Sequence, residues 1–215
     1  MRIGILGTGV VGKTLGTKLA KLGNDVKMGS RKSGGDKAEA WVKHTGRKSS
    51  EGTFAEAAAH GEMVFNCTAG MASLDALRAA GAKNLEGKTL VDVSNPLDFS
   101  RGMPPIFSVP NTDSLAEQIQ RAFPTAHIVK SLNTVTAAVM VDPSIIPGVH
   151  DMFVSGNDAK AKAQVIDLLK TGFGWKEVID LGDIAGARAQ EMLLALWVRL
   201  YMKFQTPNVN VRVAR

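Results

Sequence analysis

The sequence predicts an α/β fold with a doubly wound, mostly parallel sheet and a helical extension at its C-terminal end. Short apolar runs alternate with segments of helical periodicity along nearly all of the 215 residues. Glycine, proline and asparagine separate these segments. Strands that alternate with helices at this spacing pair mostly in parallel, because each helix carries the chain back across one face of the sheet.

The first half of the chain supports this fold element by element. Residues 2–6 form a short apolar run and predict a strand, and the next segment has helical periodicity through about residue 22, with Gly23 as its stop. The elements predicted after it are a strand at 25–29, a helix at 36–45, a weak strand near 47–51, a helix capped by Thr53 that runs to His60, a strand at 62–67, a helix capped by Ser73 and a strand at 88–93.

The second half continues the alternation after a stretch that is rich in helix and strand breakers. Residues 98–111 contain one Gly and three Pro and predict a loop or lid. The elements predicted after it are a helix at 113–123, a strand at 126–132, a short helix at 135–141 that ends before Asp142–Pro143, a strand at 151–155, a helix at 157–170 capped by Asn157, a strand at 175–181 and a long helix at 183–204.

The loop after the first strand carries a phosphate-binding pattern, Gly-x-Gly-x-x-Gly, as GTGVVG at residues 7–12. It follows a strand and opens a helix, which is the context that this motif requires. Gly7 permits the tight turn, Gly9 lets the backbone approach a pyrophosphate, and Gly12 lets the helix pack closely on the strand. The helix N-terminus adds free N–H groups. These features favour a dinucleotide-binding, Rossmann-type sheet over a plain glycine-rich turn.

The end of the second strand indicates which dinucleotide fits. NAD sites commonly place an acidic residue here to bind the ribose 2′-hydroxyl, whereas this chain has Ser30, Arg31 and Lys32. A hydroxyl, a planar guanidinium and an ammonium suit a 2′-phosphate. The pattern therefore predicts NADP(H) rather than NAD(H), and the alternative is a solvated basic turn.

Composition and charge argue against several other classes of protein. The formal net charge is +6, but Lys and Arg are spread along the chain, so a solvated basic surface is favoured over nucleic-acid binding. The sequence has no apolar run of about 18 residues that would span a membrane. A strand begins directly after Met1, without a signal peptide, and Cys67 is the single cysteine. We therefore expect a cytoplasmic protein with no nucleic-acid or membrane partner.

Five short motifs occur in an order that is similar to that of coenzyme F420-dependent NADP oxidoreductases. They are GTGVVG, GSRK at residues 29–32, CTAG at 67–70, SNPL at 94–97 and SLNT at 131–134. The resemblance covers about residues 1–204 and extends to the cytosolic domain of ferric reductases of the six-transmembrane epithelial antigen type. It implies direct hydride transfer between NADPH and a deazaflavin or flavin that stacks on the nicotinamide. It also implies a homodimer packed through C-terminal helices.

The resemblance further implies three groups of cofactor contacts. The pyrophosphate would contact Thr8, Gly9, Val10 and Val11. The 2′-phosphate would contact Ser30, Arg31 and either Lys32 or Lys37. The nicotinamide half would contact Thr68, Ala69, Gly70, Pro96 and Ala137.

The residues themselves agree with hydride transfer, which needs two rings held in position and shielded from water but no nucleophilic side chain. The loops after the strands at 62–67, 88–93 and 126–132 carry small and amide residues that leave room for two planar ligands, and Asn95 and Asn133 are expected to contact the cofactor. The four histidines are interpreted as surface or structural residues, and Cys67 as a small buried one. We therefore predict no catalytic side chain and no metal ligand.

Two other functions stay open at this point. An NADP-dependent reductase of a small carbonyl or imine substrate would need a proton donor, and Lys130 is the best candidate. An ion pair or a place at the sheet edge is nevertheless the favoured role for that lysine. A non-catalytic NADPH sensor would bind the cofactor without turnover. The acceptor is open as well, because Asn133 stands where deazaflavin enzymes of this family commonly have His and the C-terminal tail differs. An ordinary flavin is therefore an alternative acceptor.

The chain is interpreted as one NADP-binding, Rossmann-like domain, residues 1–215. Its dinucleotide-binding core spans about 1–145, and an extension at about 146–215 would complete the acceptor site and the dimer interface. The last predicted helix is apolar on more than one face, which favours a homodimer over burial beneath the proline-rich loop. Residues 103–105 are a candidate lid over the acceptor. The apolar residues of the helix are Met192, Leu193, Leu196, Trp197, Leu200, Met202 and Phe204.

Overall fold

The computed structural model describes residues 1–109 and 111–214, which form one eight-stranded sheet, a two-stranded ribbon and helices on both faces of the sheet. The strands of the large sheet are β1 Arg2–Leu6, β2 Asp25–Ser30, β3 Ser49–Thr53, β4 Met63–Asn66, β5 Thr89–Asp92, β8 His127–Ser131, β9 Asp151–Gly156 and β10 Glu177–Asp180. The ribbon pairs β6 Leu97–Asp98 with β7 Ile106–Phe107. The α-helices are α1 Val10–Lys21, α2 Asp36–Thr45, α3 Phe54–His60, α4 Gly70–Ala80, α5 Ala82–Leu85, α6 Leu115–Ala122, α7 Ala137–Val141, α8 Ala159–Asp167 and α9 Ala187–Phe204.

The strand order is β3-β2-β1-β4-β5-β8-β9-β10, and the first six of these strands are parallel. Strand β9 pairs antiparallel with β8 and parallel with β10, so the last two strands run against the rest. The prediction of a doubly wound, mostly parallel sheet followed by a C-terminal helix is confirmed. The order reverses between β1 and β4, and open sheets of this kind have a ligand crevice at such a reversal, outside the carboxyl ends of the strands.

Two apolar clusters pack on the sheet and hold its strands in register. One contains Ile3 and Ile5 of β1 with Leu15 and Trp41, and the other contains Leu6, Val64, Leu77 and Ile119. Burial of a side chain of this size contributes roughly 1.5–3 kcal/mol. Among the described residues, no helix is both long enough and apolar enough to cross a membrane.

The helix caps show where local sequence patterns were reliable and where they were not. Thr53 caps α3 in a capping box with Glu56, as predicted. Ser73 does not cap a helix, because α4 already begins at Gly70 and Ser73 is buried in its first turns. Asn157 is not the cap of α8 either, since Asp158 accepts from Ala161 N and Asn157 accepts from Ile184 N. The Ser73 hydroxyl instead accepts a hydrogen bond from Asn66 Nδ2 at 3.1 Å. The sequence around Ser73 gives no sign of this partner.

Three other predicted segments differ in detail. The stretch 98–111 is not wholly a loop, because its described part includes one strand of the β6–β7 ribbon and the end of the other; Pro110 lies outside the described residues. The helix expected to run to residue 170 ends as α8 at Asp167 and continues as a π-helical segment, Leu168–Phe173. The helix expected from 183 begins with a 3-10 turn, Ile184–Gly186, before α9.

The segment after α9 folds back along the start of β9. Asp151 N donates to Val211 O at 3.1 Å, and Asn210 Nδ2 donates to Asp151 O at 2.9 Å. Trp197 Nε1 on α9 donates to Val209 O at 3.1 Å. These bonds attach the tail both to the sheet and to the last helix.

Candidate functional site

A cleft of about 1110 Å³ opens at the carboxyl edge of the sheet, where the strand order reverses. Its floor is formed by the residues that follow β1, β2 and β4, so three of the motifs predicted from the sequence meet in one place. The residues predicted to bind the cofactor that line this cleft are Gly7, Thr8, Gly9, Ser30, Arg31, Lys32, Lys37, Thr68 and Ala69.

The three glycines of the phosphate loop differ in what surrounds them. A Cβ on Gly7 would lie 2.7 Å from Cys67 O, and φ there is +118°, so both space and backbone conformation require glycine. A Cβ on Gly12 would lie 2.1 Å from Gly7 O, because α1 packs closely on the loop. A Cβ on Gly9 would meet no described atom within 4 Å. Gly7 and Gly12 therefore satisfy the fold, whereas Gly9 leaves free space in the cleft.

The end of β2 presents a basic surface to the same cleft. Arg31, Lys32 and Lys37 line it and form no ion pair with any other described residue. Ser30 Oγ donates to Lys32 O at 2.5 Å, which closes the turn between them. Of the carboxylates that line the cleft, Asp75 is paired with Arg78 at 2.8 Å, which reduces its repulsion of an anion. Asp36 also lines the cleft, so three cationic and two acidic side chains face it, and this balance favours an anionic ligand.

One wall of the cleft was not predicted from the sequence. It comes from α4 and the start of α3, and its small and aromatic side chains are Phe54, Ala72, Ala76 and Ala79. The three alanines recur at helical spacing and so share one face of α4. Such a wall is smooth enough for a flat ring to lie against it. The spacing was visible in the sequence, but only the sheet topology shows that this face borders the phosphate loop.

Other residues predicted to bind the cofactor lie at the same edge without lining the cleft. Val10 is 73% exposed at the start of α1, whereas Val11 packs partly against the core and Gly12 against the loop. Ala137 is buried at the start of α7.

The loops after β4, β5 and β8 meet beside the cleft. A Cβ on Gly70 would lie 1.8 Å from Asn95 O, so the start of α4 and the loop after β5 touch through their backbones. Asn95 Nδ2 donates to Asn133 O and Asn133 Nδ2 donates to Asn95 Oδ1, both at 2.9 Å. Pro96, which is buried, accepts from Ser108 N through its carbonyl at 2.8 Å. The three predicted nicotinamide-side loops therefore form one connected unit.

Beneath these loops is a group of three fully or almost fully buried charges, Asp92, Lys130 and Glu191, called here the buried charge cluster. Lys130 Nζ lies 2.8 Å from Asp92 Oδ2 and 2.9 Å from Glu191 Oε1. Burial disfavours the charged form of Lys130, but the two carboxylates outweigh it and hold the pKa of Lys130 above its ordinary value. Of the two structural roles favoured for Lys130, the ion pair is confirmed, whereas a place at the sheet edge is wrong because β8 lies between β5 and β9.

The remaining reactive side chains have structural roles. Burial, with a further contribution from the Asp92 carboxylate, raises the pKa of the Cys67 thiol, so it stays protonated at neutral pH. His60 Nε2 lies 3.2 Å from Asp25 O, and His127 Nδ1 lies 3.7 Å from Asp158 Oδ2. His150 Nε2 lies 3.0 Å from Pro143 O. Cys67 begins the loop after β4 and lines the cleft, whereas His60, His127 and His150 do not line it.

Comparison with known proteins identifies the family. The profile of the family described as NADP oxidoreductase, coenzyme F420-dependent, matches residues 2–96. The F420-dependent NADP reductase of Methanocaldococcus jannaschii is 30% identical over 224 residues, which span 99% of this chain and 98% of that protein. The metalloreductase STEAP3 of Rattus norvegicus is 29% identical over 210 residues, which span 97% of this chain and 38% of that protein.

A solved structure agrees with this relationship over the whole chain. The crystal structure of a proposed F420-dependent NADP-reductase from Arthrobacter sp. FB24 matches with a TM-score of 0.96 and 51% identity, and the match covers 100% of both chains. The resemblance inferred from the five motifs is thereby confirmed. The chain is an oxidoreductase that belongs to the coenzyme F420-dependent NADP oxidoreductase family.

Proposed function

We propose that this protein transfers a hydride between NADPH, bound in the cleft, and a deazaflavin or flavin acceptor. The observation that carries the proposal is the combination of an unfilled space at Gly9 with an unpaired basic surface at Arg31, Lys32 and Lys37 in the same cleft. The first suits a pyrophosphate that touches the backbone, and the second suits a 2′-phosphate. NADP(H) is therefore the cofactor that fits these residues.

The proposed contacts follow from the chemistry of the lining. The N–H groups of Thr8 to Val11, at the start of α1, would hold the pyrophosphate, and Ser30 and Arg31 would hold the 2′-phosphate, with Lys32 and Lys37 beside it. The adenine would lie against the wall formed by Phe54 and the alanines of α4. When bound, NADPH supplies the hydride. The loops with Thr68, Asn95 and Asn133 orient the nicotinamide half and need no acid or base for a transfer between stacked rings.

An apolar, planar acceptor suits the surface around the nicotinamide side. Several large apolar side chains are exposed on the segments that follow β1, β4 and β6: Val10 73%, Met71 62%, Phe99 57% and Met103 52%. Exposed apolar groups occur elsewhere on the chain too, but those on these segments favour a ligand with an extended ring face. The turn of the β6–β7 ribbon, with Met103, would act as the lid. A deazaflavin and a flavin both have such a face.

The two other candidate functions make different demands. A reductase of a small carbonyl or imine would need a proton donor, but Lys130 is 0% exposed and its ammonium is engaged by three acceptors. No observation therefore favours that reaction. A sensor would bind NADPH and leave it unchanged, and turnover distinguishes that function from the proposed one.

The proposed function is tested by following NADPH absorbance in the presence of a deazaflavin, riboflavin phosphates or ferric chelates, with NADH as control. Rapid loss of NADPH with one flavin-like acceptor, and slower loss of NADH, is the expected result. Tight binding of NADPH without oxidation by any acceptor would contradict hydride transfer and favour the sensor.

Gly9→Ala is expected to weaken NADPH binding by about ten-fold, or roughly 1.4 kcal/mol, and to leave the fold intact. The added methyl occupies the space where the pyrophosphate would approach the backbone, and it meets no described protein atom. Gly12→Ala is the contrasting variant, because its methyl would collide with Gly7 O and lower the melting temperature. Fluorescence titration and thermal unfolding of both variants check the prediction. An unchanged Kd for Gly9→Ala would show that the pyrophosphate lies elsewhere.

The outer face of α9 supports a homodimer, in which the part of the chain after about residue 146 would supply the interface. Met192, Leu196 and Phe204 are 40%, 48% and 60% exposed on this helix, although its other face is buried against the sheet. An apolar helix face of this kind needs a partner. A second copy is the partner proposed here.

Leu196→Glu is expected to convert this dimer to a monomer, because a carboxylate would be buried in an apolar interface. Sedimentation velocity at micromolar protein concentration measures the change. Leu181→Glu is the control, since Leu181 is 37% exposed but lies outside α9. A Leu196→Glu protein that sediments like the unmodified one would exclude this face as the interface.

A further inference from the structure

We infer that Glu191 on α9, acting through the buried charge cluster, positions the loops that hold the nicotinamide side of the site. Glu191 would be a positioning residue, since it reaches the loops of the site through Lys130 and not by direct contact. The inference rests on the proposed hydride transfer and extends it to a helix that borders no part of the described cleft.

The ammonium of Lys130 links the cluster directly to the loop after β5. Its Nζ carries three N–H donors, and three acceptor atoms surround it: Asp92 Oδ2 at 2.8 Å, Glu191 Oε1 at 2.9 Å and Ser94 O at 2.5 Å. Ser94 immediately precedes Asn95. A shift of the ammonium would therefore move the backbone that presents Asn95 and Pro96.

Asp92 extends the same network to the loop after β4. Its Oδ1 accepts from Asn66 Nδ2 at 2.8 Å and from Ser94 Oγ at 2.7 Å. Asn66 Oδ1 in turn accepts from Thr68 Oγ1 at 2.6 Å. Thr68 lines the cleft, so an unbroken chain of hydrogen bonds joins the cleft to Lys130.

Helix α9 fixes the third loop and completes the cluster. Glu191 accepts from Leu115 N at 2.9 Å and Ala116 N at 3.2 Å, which fastens it to the start of α6. The preceding residue, Gln190, accepts from Asn133 Nδ2 at 3.1 Å and donates to Lys130 O at 3.2 Å. These bonds flank Leu132, whose φ of +64° is rare for a residue other than glycine. Such a turn persists only where its surroundings hold it.

Stability alone gives a weak reason for burying these charges. Taking charges out of water is costly, and well-packed apolar residues of similar volume often stabilise a fold as well or better. Charged groups differ from apolar ones in that each bond has a fixed direction and length. The cluster uses that property on the loops after β4 and β5, and the neighbouring Gln190 holds the loop after β8. These three loops meet at the nicotinamide side, where hydride transfer depends most on geometry.

The test compares Glu191→Gln with Glu117→Gln. Glu191→Gln keeps the balanced Asp92–Lys130 pair and alters only the contribution of α9. Glu117 also joins α6 to α9, through Arg188 at 2.6 Å, but contacts none of the cluster, so it controls for general loosening of the two helices. We expect Glu191→Gln to lower kcat about 10- to 100-fold. The Kd for NADPH should stay close to that of the unmodified protein, because the phosphate-binding residues follow β1 and β2.

Glu117→Gln should leave kcat close to that of the unmodified protein, even if it lowers the melting temperature as much as Glu191→Gln does. The fluorescence of bound NADPH is a second readout that needs no acceptor, and Glu191→Gln should change its intensity or emission maximum at saturation. Equal kcat losses in the two variants, or an unchanged kcat and unchanged fluorescence in Glu191→Gln, would overturn the inference. An unmodified protein that binds NADPH but reduces no acceptor would instead contradict the proposed function, and the fluorescence comparison would then still decide the positioning role.

Discussion

Replacing Lys130 with Met is expected to lower the free energy of unfolding by about 3–5 kcal/mol. The substitution leaves two carboxylates, those of Asp92 and Glu191, buried without the cation that lies 2.8 and 2.9 Å from them. It also removes the donor to Ser94 O. Urea unfolding followed by circular dichroism measures the loss.

Two comparisons make this result interpretable. Lys162→Met removes a partly exposed ion pair with Asp180, at 2.9 Å, and should cost no more than about 1 kcal/mol. The triple variant Asp92→Asn, Lys130→Met, Glu191→Gln should recover part of the stability lost in Lys130→Met, because no uncompensated carboxylate then remains. If Lys130→Met were no less stable than Lys162→Met, the buried charges would not be coupled as the distances indicate.

Arg31→Ala is expected to weaken NADPH binding by roughly 1.5–3 kcal/mol, about 10- to 150-fold, and to leave NADH binding nearly unchanged. The guanidinium lines the cleft and has no ionic partner among the described residues, so it is available to a 2′-phosphate. NADH lacks that phosphate, so its binding free energy should not change when Arg31 is replaced. Fluorescence titration with both cofactors at one fixed ionic strength checks the prediction.

The control for Arg31 is Arg47→Ala, which makes the same change in net charge at an exposed residue that does not line the cleft. Its NADPH affinity should stay close to that of the unmodified protein, because solvent and salt screen the distant charge. Equal weakening of NADPH and NADH in Arg31→Ala would place the guanidinium on a part of the cofactor that the two share. The 2′-phosphate assignment would then be wrong.

The sheet and its order of helices were predictable because each element has a local pattern of its own. The helix at Asp36–Thr45 was predicted with its observed ends, and Thr53 was recognised as the cap of α3. The failures arose where a polar side chain serves a distant partner. Ser73 looked like a helix cap but accepts from Asn66 Nδ2 across the sheet edge at 3.1 Å, and Asn157 looked like another but accepts from Ile184 N.

The candidate site was likewise predictable where its residues are close together in the sequence, and not where they are far apart. The phosphate loop and the basic residues at 30–32 are contiguous stretches, and parallel pairing of their strands brings them to one edge, so the cleft between them could be expected. The alanine wall of α4 depends on which helix borders which loop, which only the topology settles. The partnership of Lys130 with Glu191 joins residues far apart in the chain, and no periodicity or spacing predicts such a pair.

The buried charge cluster also constrains how this chain can change over evolutionary time. Its three members come from β5, β8 and α9, which are far apart in the chain. An apolar residue in place of Lys130 alone would leave the two carboxylates unpaired in the interior. Substitutions at positions 92, 130 and 191 should therefore be tolerated mainly when they occur together, because the effect of each on stability depends on the other two. Among relatives, these three positions should covary, and their pattern of joint replacement would record the contact without any structure being solved.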